Sequence, residues 1–201
     1  MVGLWRMEAP GMPESVMPEG VMPESKASNL ALRDARSSDA QAVAELHATV
    51  WREAYDGIAP AAAVDKLNAA YRQTAWLEAL DEKTNSRTTL VADCGSELAG
   101  FISFGASNNP LYGDRAEIKH LYVGNAWRGQ GIGRRLLGLA FRRLHSAGHT
   151  AVGLAVVEDN TNARLFYKAL GGVETITFED PGPLWKSKNV LVEWQLPAEL
   201  E

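Results

Sequence analysis

The chain has 201 residues, enough for one globular domain with a sizeable core, and its 20 Lys and Arg against 25 Asp and Glu leave a formal net charge of -5. That balance argues against a nucleic-acid partner, the single Cys94 excludes an internal disulfide, and no Cys/His spacing suggests a zinc module. No apolar run approaches the roughly 20 residues of a membrane span and the amino terminus lacks a signal peptide's basic and apolar regions, so a soluble, cytoplasmic protein with no membrane association and no metal is expected.

Residues 1–28 differ in kind from the rest. "MPESVMPEGVMPES", Met12 to Ser25, repeats Met-Pro-Glu units, and Met1, Met7, Met12, Met17 and Met22 all fall in this stretch. Proline at that frequency opposes helix and little is offered for burial, so a disordered tail is expected ahead of one domain over 29–201. "NLALRDAR" then reads as a first strand. "SDAQAVAELHATVWREAY" reads as a helix with a capping-box spacing from Ser38 to Gln41 and with Val43, Leu46, His47 and Val50 on one face. "DGIAP" breaks it, and "AAVDKLNAAYRQTAWLEAL" reads as a second, single helix. "TTLVAD" and "LAGFISFG" flank the turn residues "CGSE" as a hairpin, and after the loop "ASNNPLYGD" the run "AEIKHLYV" is a fourth strand. "IGRRLLGLAFRRLH" is an amphipathic helix with Ile132, Leu136, Leu137, Ala140, Phe141 and Leu144 inward. "AVGLAVV" is a fifth strand, "NARLFYKAL" a short helix closed by Gly171, and "ETITFE" and "VLVEWQL" are final strands. The order predicts a mixed α/β domain with one central sheet of six or seven strands and about four helices.

Between the fourth strand and the amphipathic helix stands "RGQGIG", Arg128 to Gly133. A strand, a tight turn and a helix start aim unpaired backbone N–H groups and the positive end of a helix dipole at one point, which favours phosphate. No Gly-Lys-Ser/Thr follows, and Leu136 stands where a dinucleotide fingerprint needs its third glycine, so both common nucleotide motifs fail.

The sequence here resembles the GCN5-related N-acetyltransferases, the GNAT family. Their Arg/Gln-x-x-Gly-x-Gly/Ala signature is met by Arg128, Gly131 and Gly133 after a strand ending in Val123. A second signature is met in "NTNARLFYKALGG" by Asn160, Ala163, Phe166, Tyr167 and Gly171. The resemblance covers about residues 30–196, with one departure: the family usually has Gly-Phe after the short helix, where this chain has Gly171 and Gly172. It implies a mostly antiparallel sheet splayed between strands four and five. It also implies acetyl-coenzyme A as cosubstrate, its pyrophosphate on the amides of Gly129, Gln130, Gly131, Ile132, Gly133 and Arg134, with charge from Arg128, Arg134 or Arg135. The pantetheine arm would pair along Leu121, Tyr122 and Val123, with Asn160 on the other side; a helix N-cap is the plainer reading of Asn160, and the two roles are compatible.

An alkyl amine with an ordinary pKa of about 10.4 must lose a proton before it attacks a thioester. The resemblance makes Glu117 the candidate base, against the plainer reading of a surface carboxylate paired with Lys119. It makes Tyr167 the candidate acid for the departing thiolate, against that of a half-buried aromatic, and places an oxyanion donor at the backbone near Val123. "WREAYDGIAP" resembles an acceptor-pocket segment of one GNAT subgroup, which implies Trp51 and Tyr55, with Glu53 and Asp56, as acceptor-binding residues; a core Trp51 with solvated charges is the alternative. The expected activity is direct transfer of acetyl to a primary amine on a small molecule or peptide. An inactive acetyl-CoA-binding sensor or partner-binding module is the other class, and dimers are common among the proteins it resembles.

Overall fold

A computed structural model describes residues 30–81, 87–182 and 184–196. The Met-Pro-Glu repeat and the tail expected there lie outside these residues. Seven strands form one sheet: β1 (Ala31–Asp34), β2 (Arg87–Asp93), β3 (Leu98–Ala106), β4 (Ala116–Val123), β5 (Ala151–Val157), β6 (Val173–Glu179) and β7 (Lys188–Gln195), in the order β1-β2-β3-β4-β5-β7-β6. All neighbours are antiparallel except β4 and β5.

Period-two alternation sends successive side chains to opposite faces, and both faces are covered. On one, Leu90, Ile102, Ile118 and Val152 meet Leu136, Leu137, Ala140 and Leu144 of α4 (Ile132–Ser146), with α5 (Thr161–Ala169) alongside. On the other, Val91 and Phe101 meet Val43 and Ala44 of α1 (Ala40–Tyr55) and Trp76 of a further helix. The sheet is thus the middle of three layers.

Two local expectations are corrected. The single second helix is two, α2 (Ala61–Lys66) and α3 (Ala69–Ala79), because the Asn68 Oδ1 accepts the Tyr71 N–H (3.0 Å) and caps a new start in mid-run. The Ser38–Gln41 capping box does not form. Asp39 accepts the Arg36 N–H (2.7 Å) while paired with Arg33 (2.7 Å), and Gln41 turns to Glu45 (2.9 Å).

Two irregularities shape what lies between β4 and β5. Those strands pair only at Ala116 with Val152 and Glu117 with Gly153, and then diverge. Tyr112 plugs the closed end: its ring packs so tightly over Gly153 that a Cβ there would lie 3.0 Å from Cδ1. In β4, Ser103 pairs with His120 and Phe104 with Ile118, which leaves Lys119 as a bulged extra residue. The bulge resets the alternation, so His120 and Tyr122 face α1 and α3 while Leu121 and Val123 join the α4 side.

Candidate active site

The divergence of β4 and β5 opens a cleft of about 610 Å³. Leu121, Tyr122 and Val123 form one wall and Leu154, Ala155 and Val156 the other, with the "RGQGIG" turn at one end.

The glycines of that turn do separate jobs. Gly129 and Gly131 adopt φ of 76° and 75°, the left-handed region that β-carbons oppose. Gly133 is a close approach, since a Cβ there would lie 3.0 Å from Cζ of Phe166. The turn leaves its amides free. Arg128 N–H is taken by the Asn125 carbonyl (3.2 Å) and Arg135 N–H by the Gly131 carbonyl (3.0 Å), but between them no N–H from Gly129 to Arg134 donates to any acceptor among the described residues. Arg128 is braced, with Nε donating to the Val123 carbonyl (3.3 Å) and Nη2 3.6 Å from Glu53. Gln130 turns its side chain to the Ala126 carbonyl (3.2 Å) and lies outside the cleft wall, whereas Arg134 lines it.

Across the cleft, Asn160 lines the wall and caps α5, its Oδ1 accepting the Ala163 N–H (3.2 Å). Tyr167 reaches the same cleft from α5 and is only 6 % exposed. Burial, with Tyr55 nearby, raises its pKa above the ordinary tyrosine value, so the phenol keeps its proton at neutral pH. Its ring stands edge-on to Trp194 of β7, centroids 5.8 Å apart, and the Trp194 N–H donates to the Leu170 carbonyl (3.0 Å). Val192 and the indole, both of β7, take the space over Gly172, where a Cβ would lie 2.6 Å from Val192 Cγ1 and 2.7 Å from the indole. A larger residue at the position where the family usually has Phe would collide with these two β7 side chains.

The acceptor-side residues divide. Tyr55 lines the cleft, whereas Trp51 is buried behind it, the two ring centroids 5.1 Å apart. Trp185, in the loop between β6 and β7, stands edge-on to both, with centroids 5.5 Å from Tyr55 and 6.1 Å from Trp51. Sequence reading missed Trp185; a lone tryptophan in a Pro/Gly-rich connection was the available signal. Glu117 lies outside the cleft wall, in an ion pair with Arg87 (2.7 Å) and accepting from Ser107 Oγ (3.1 Å). Its partner is not Lys119, because the bulge separates the two.

His120 does line the cleft, a placement no spacing argument gave. Burial, with Lys119 and the Arg72 and Arg87 cations near, pushes its pKa down to about 3, so the ring is neutral in use. His47 behind it (ring centroids 4.8 Å) is held neutral more strongly by burial and the same kind of neighbours. Both its nitrogens face donors, Trp76 Nε1 at 3.1 Å from Nδ1 and Arg72 Nη1 at 2.9 Å from Nε2; the neutral ring accepts from one of them and a protonated ring could accept from neither. Among the described residues no His, Cys, Asp and Glu side chains group as a metal site, and no helix is long and apolar enough to cross a membrane.

The family model of the acetyltransferase (GNAT) family matches residues 33–171, a span that takes in the bulged strand, its divergence from β5 and the glycine turn. The chain belongs to the GNAT family. As a GNAT acyltransferase it depends on acetyl-CoA. It is 32 % identical over 146 residues to a probable N-acetyltransferase of Mycobacterium tuberculosis, a match covering 71 % of this chain and 79 % of that one. Its fold is also that of PaiA N-acetyltransferase from Thermoplasma acidophilum, solved in complex with coenzyme A (TM-score 0.63, 20 % identity, 83 % of this chain and 98 % of that one). YncA from Salmonella typhimurium, solved with its cofactor acetyl-CoA, is similar in fold (TM-score 0.63, 19 % identity, 85 % and 95 %).

Proposed function

We propose that this GNAT protein transfers acetyl from acetyl-CoA to the primary amine of a small molecule or peptide, directly and without an acyl-enzyme. The observation that carries the reading is the run of unshared amides from Gly129 to Arg134 at one end of the β4–β5 cleft. Those amides suit a pyrophosphate, and the apolar walls of Leu121, Val123, Leu154 and Val156 suit an extended arm between the strands.

The coenzyme supplies an activated thioester; the chain does the rest. The amine nitrogen bonds to the acetyl carbon, the carbon–sulfur bond breaks, and the thiolate takes a proton. Tyr167 is placed to give that proton, its phenol kept protonated by burial in the cleft wall. The backbone at Val123, where β4 has left β5, is the proposed oxyanion donor. Glu117 is the proposed destination of the amine's proton, reached through water because the carboxylate stands outside the cleft with Arg87.

That pairing of Glu117 is also the observation favouring the second reading, a coenzyme-binding module without turnover. Thiol release across a panel of amines, with titration of coenzyme A on the same preparation, separates them. Release with any amine supports the enzyme. Tight binding without release supports the module, and absence of binding refutes the role given to "RGQGIG".

A further inference from the structure

Behind the proposed acceptor end of the cleft lies a cation with no carboxylate partner among the described residues. Arg72 of α3 donates Nε–H to the Leu67 carbonyl (3.0 Å), reaches the His47 ring with Nη1 (2.9 Å) and lies over the Trp51 indole, 5.4 Å from its centroid. Its Nη2 is buried without a hydrogen-bond partner, and no carboxylate among the described residues pairs with it. Buried cations are normally paired and buried donors satisfied, because desolvation is otherwise uncompensated. His47, held neutral, cannot be the counter-charge.

Arg72 stands one layer behind the cleft wall: the His47 ring it reaches packs against His120 and Tyr122, and the Trp51 ring it covers packs against Tyr55, and all three outer rings line the cleft. Lys119, displaced outward by the bulge, lines the same end and makes no ion pair among the described residues. Among the described residues the one acid in the cleft wall, Glu53, faces Arg128 on the coenzyme side. Polyamines, aminoglycosides and basic peptides would meet like charge here, whereas an amine carrying its own anion meets its complement.

We propose that the acceptor bears a carboxylate a few bonds from its amine, as in an amino acid, and that this carboxylate sits against the Tyr55 and Tyr122 hydroxyls in the field of Arg72, with Lys119 at the rim. The proposal rests on the N-acetyltransferase reading for the amine but not for the anion site. It also accounts for Arg72: the ligand brings the negative charge that the protein omits.

Matched amino acids, their carboxamides and their decarboxylated amines test it in two ways. One is thiol release at saturating acetyl-CoA; the other is isothermal titration into the protein saturated with coenzyme A. The acids are expected to exceed the carboxamides at least tenfold in kcat/KM and in affinity. Arg72→Lys should keep most of that preference, and Arg72→Gln should bring the ratio near one with coenzyme affinity unchanged. If Arg72→Gln fails to fold, the wild-type ratio still decides. Transfer to carboxamides and acids alike overturns the anion site and leaves the enzyme standing. Binding of acids over carboxamides without any transfer does the opposite, and absence of both overturns both.

Discussion

The two ends of the cleft are built from different materials. The proposed coenzyme end is main chain: free amides at a helix start, made possible by Gly129 and Gly131 in the left-handed region. The proposed acceptor end is side chain, with Tyr55 from α1 and His120 and Tyr122 from β4 in the wall, backed by Arg72 of α3 and Trp185 of the β6–β7 loop. A surface of amides reads any pyrophosphate the same way and can be kept by a short glycine spacing. A surface of side chains from separate elements can be re-specified one residue at a time.

The widest gap between the ends should appear in acid. His47 and His120 have folded-state pKa values below the unfolded value of about 6.5, so their contribution is whole above that pH and is lost as pH falls toward about 3 for His120. Each histidine should withdraw about 2 kcal/mol of stability between pH 7 and pH 5. Denaturant unfolding at the two pH values checks this; a His120→Gln variant should lose about half of the dependence, and an equal slope in wild type and variant would remove His120 from the account. Tyr167→Phe, at the junction of the ends, should lower turnover about 100-fold with coenzyme affinity nearly unchanged, read by kcat against titration. Gly131→Val, confined to the coenzyme end, should weaken coenzyme A binding about tenfold through the strain of a β-carbon at φ 75°, with acceptor discrimination unaltered. Trp185→Ala should raise acceptor KM about fivefold and leave coenzyme affinity alone. A change in coenzyme affinity there would mean that the ends are not separable.

The sequence was legible where one element decides the outcome. Strand and helix positions, the turn and the N-cap of Asn160 follow from local spacing. Reading failed in two ways. A local cap was overlooked, since Asn68 starts a helix inside an apparently continuous one, and groups further along the chain intervened, since Asp39 pairs with Arg33 and Glu117 finds Arg87 on β2 rather than Lys119 two positions along. The last miss has a single cause, since period-two reasoning puts Glu117 and Lys119 together and one bulged residue parts them. Arg72 and Trp185 left no periodic trace, because tertiary packing alone brings them behind the cleft wall.

Gly172 is held small by two neighbours from one strand. With Val192 Cγ1 at 2.6 Å and the Trp194 indole at 2.7 Å from where a Cβ would be, residue 172 cannot grow until both give way. Descendants of this chain should therefore inherit the three as a unit, and a homologue with an aromatic at 172 should carry smaller residues at both 192 and 194.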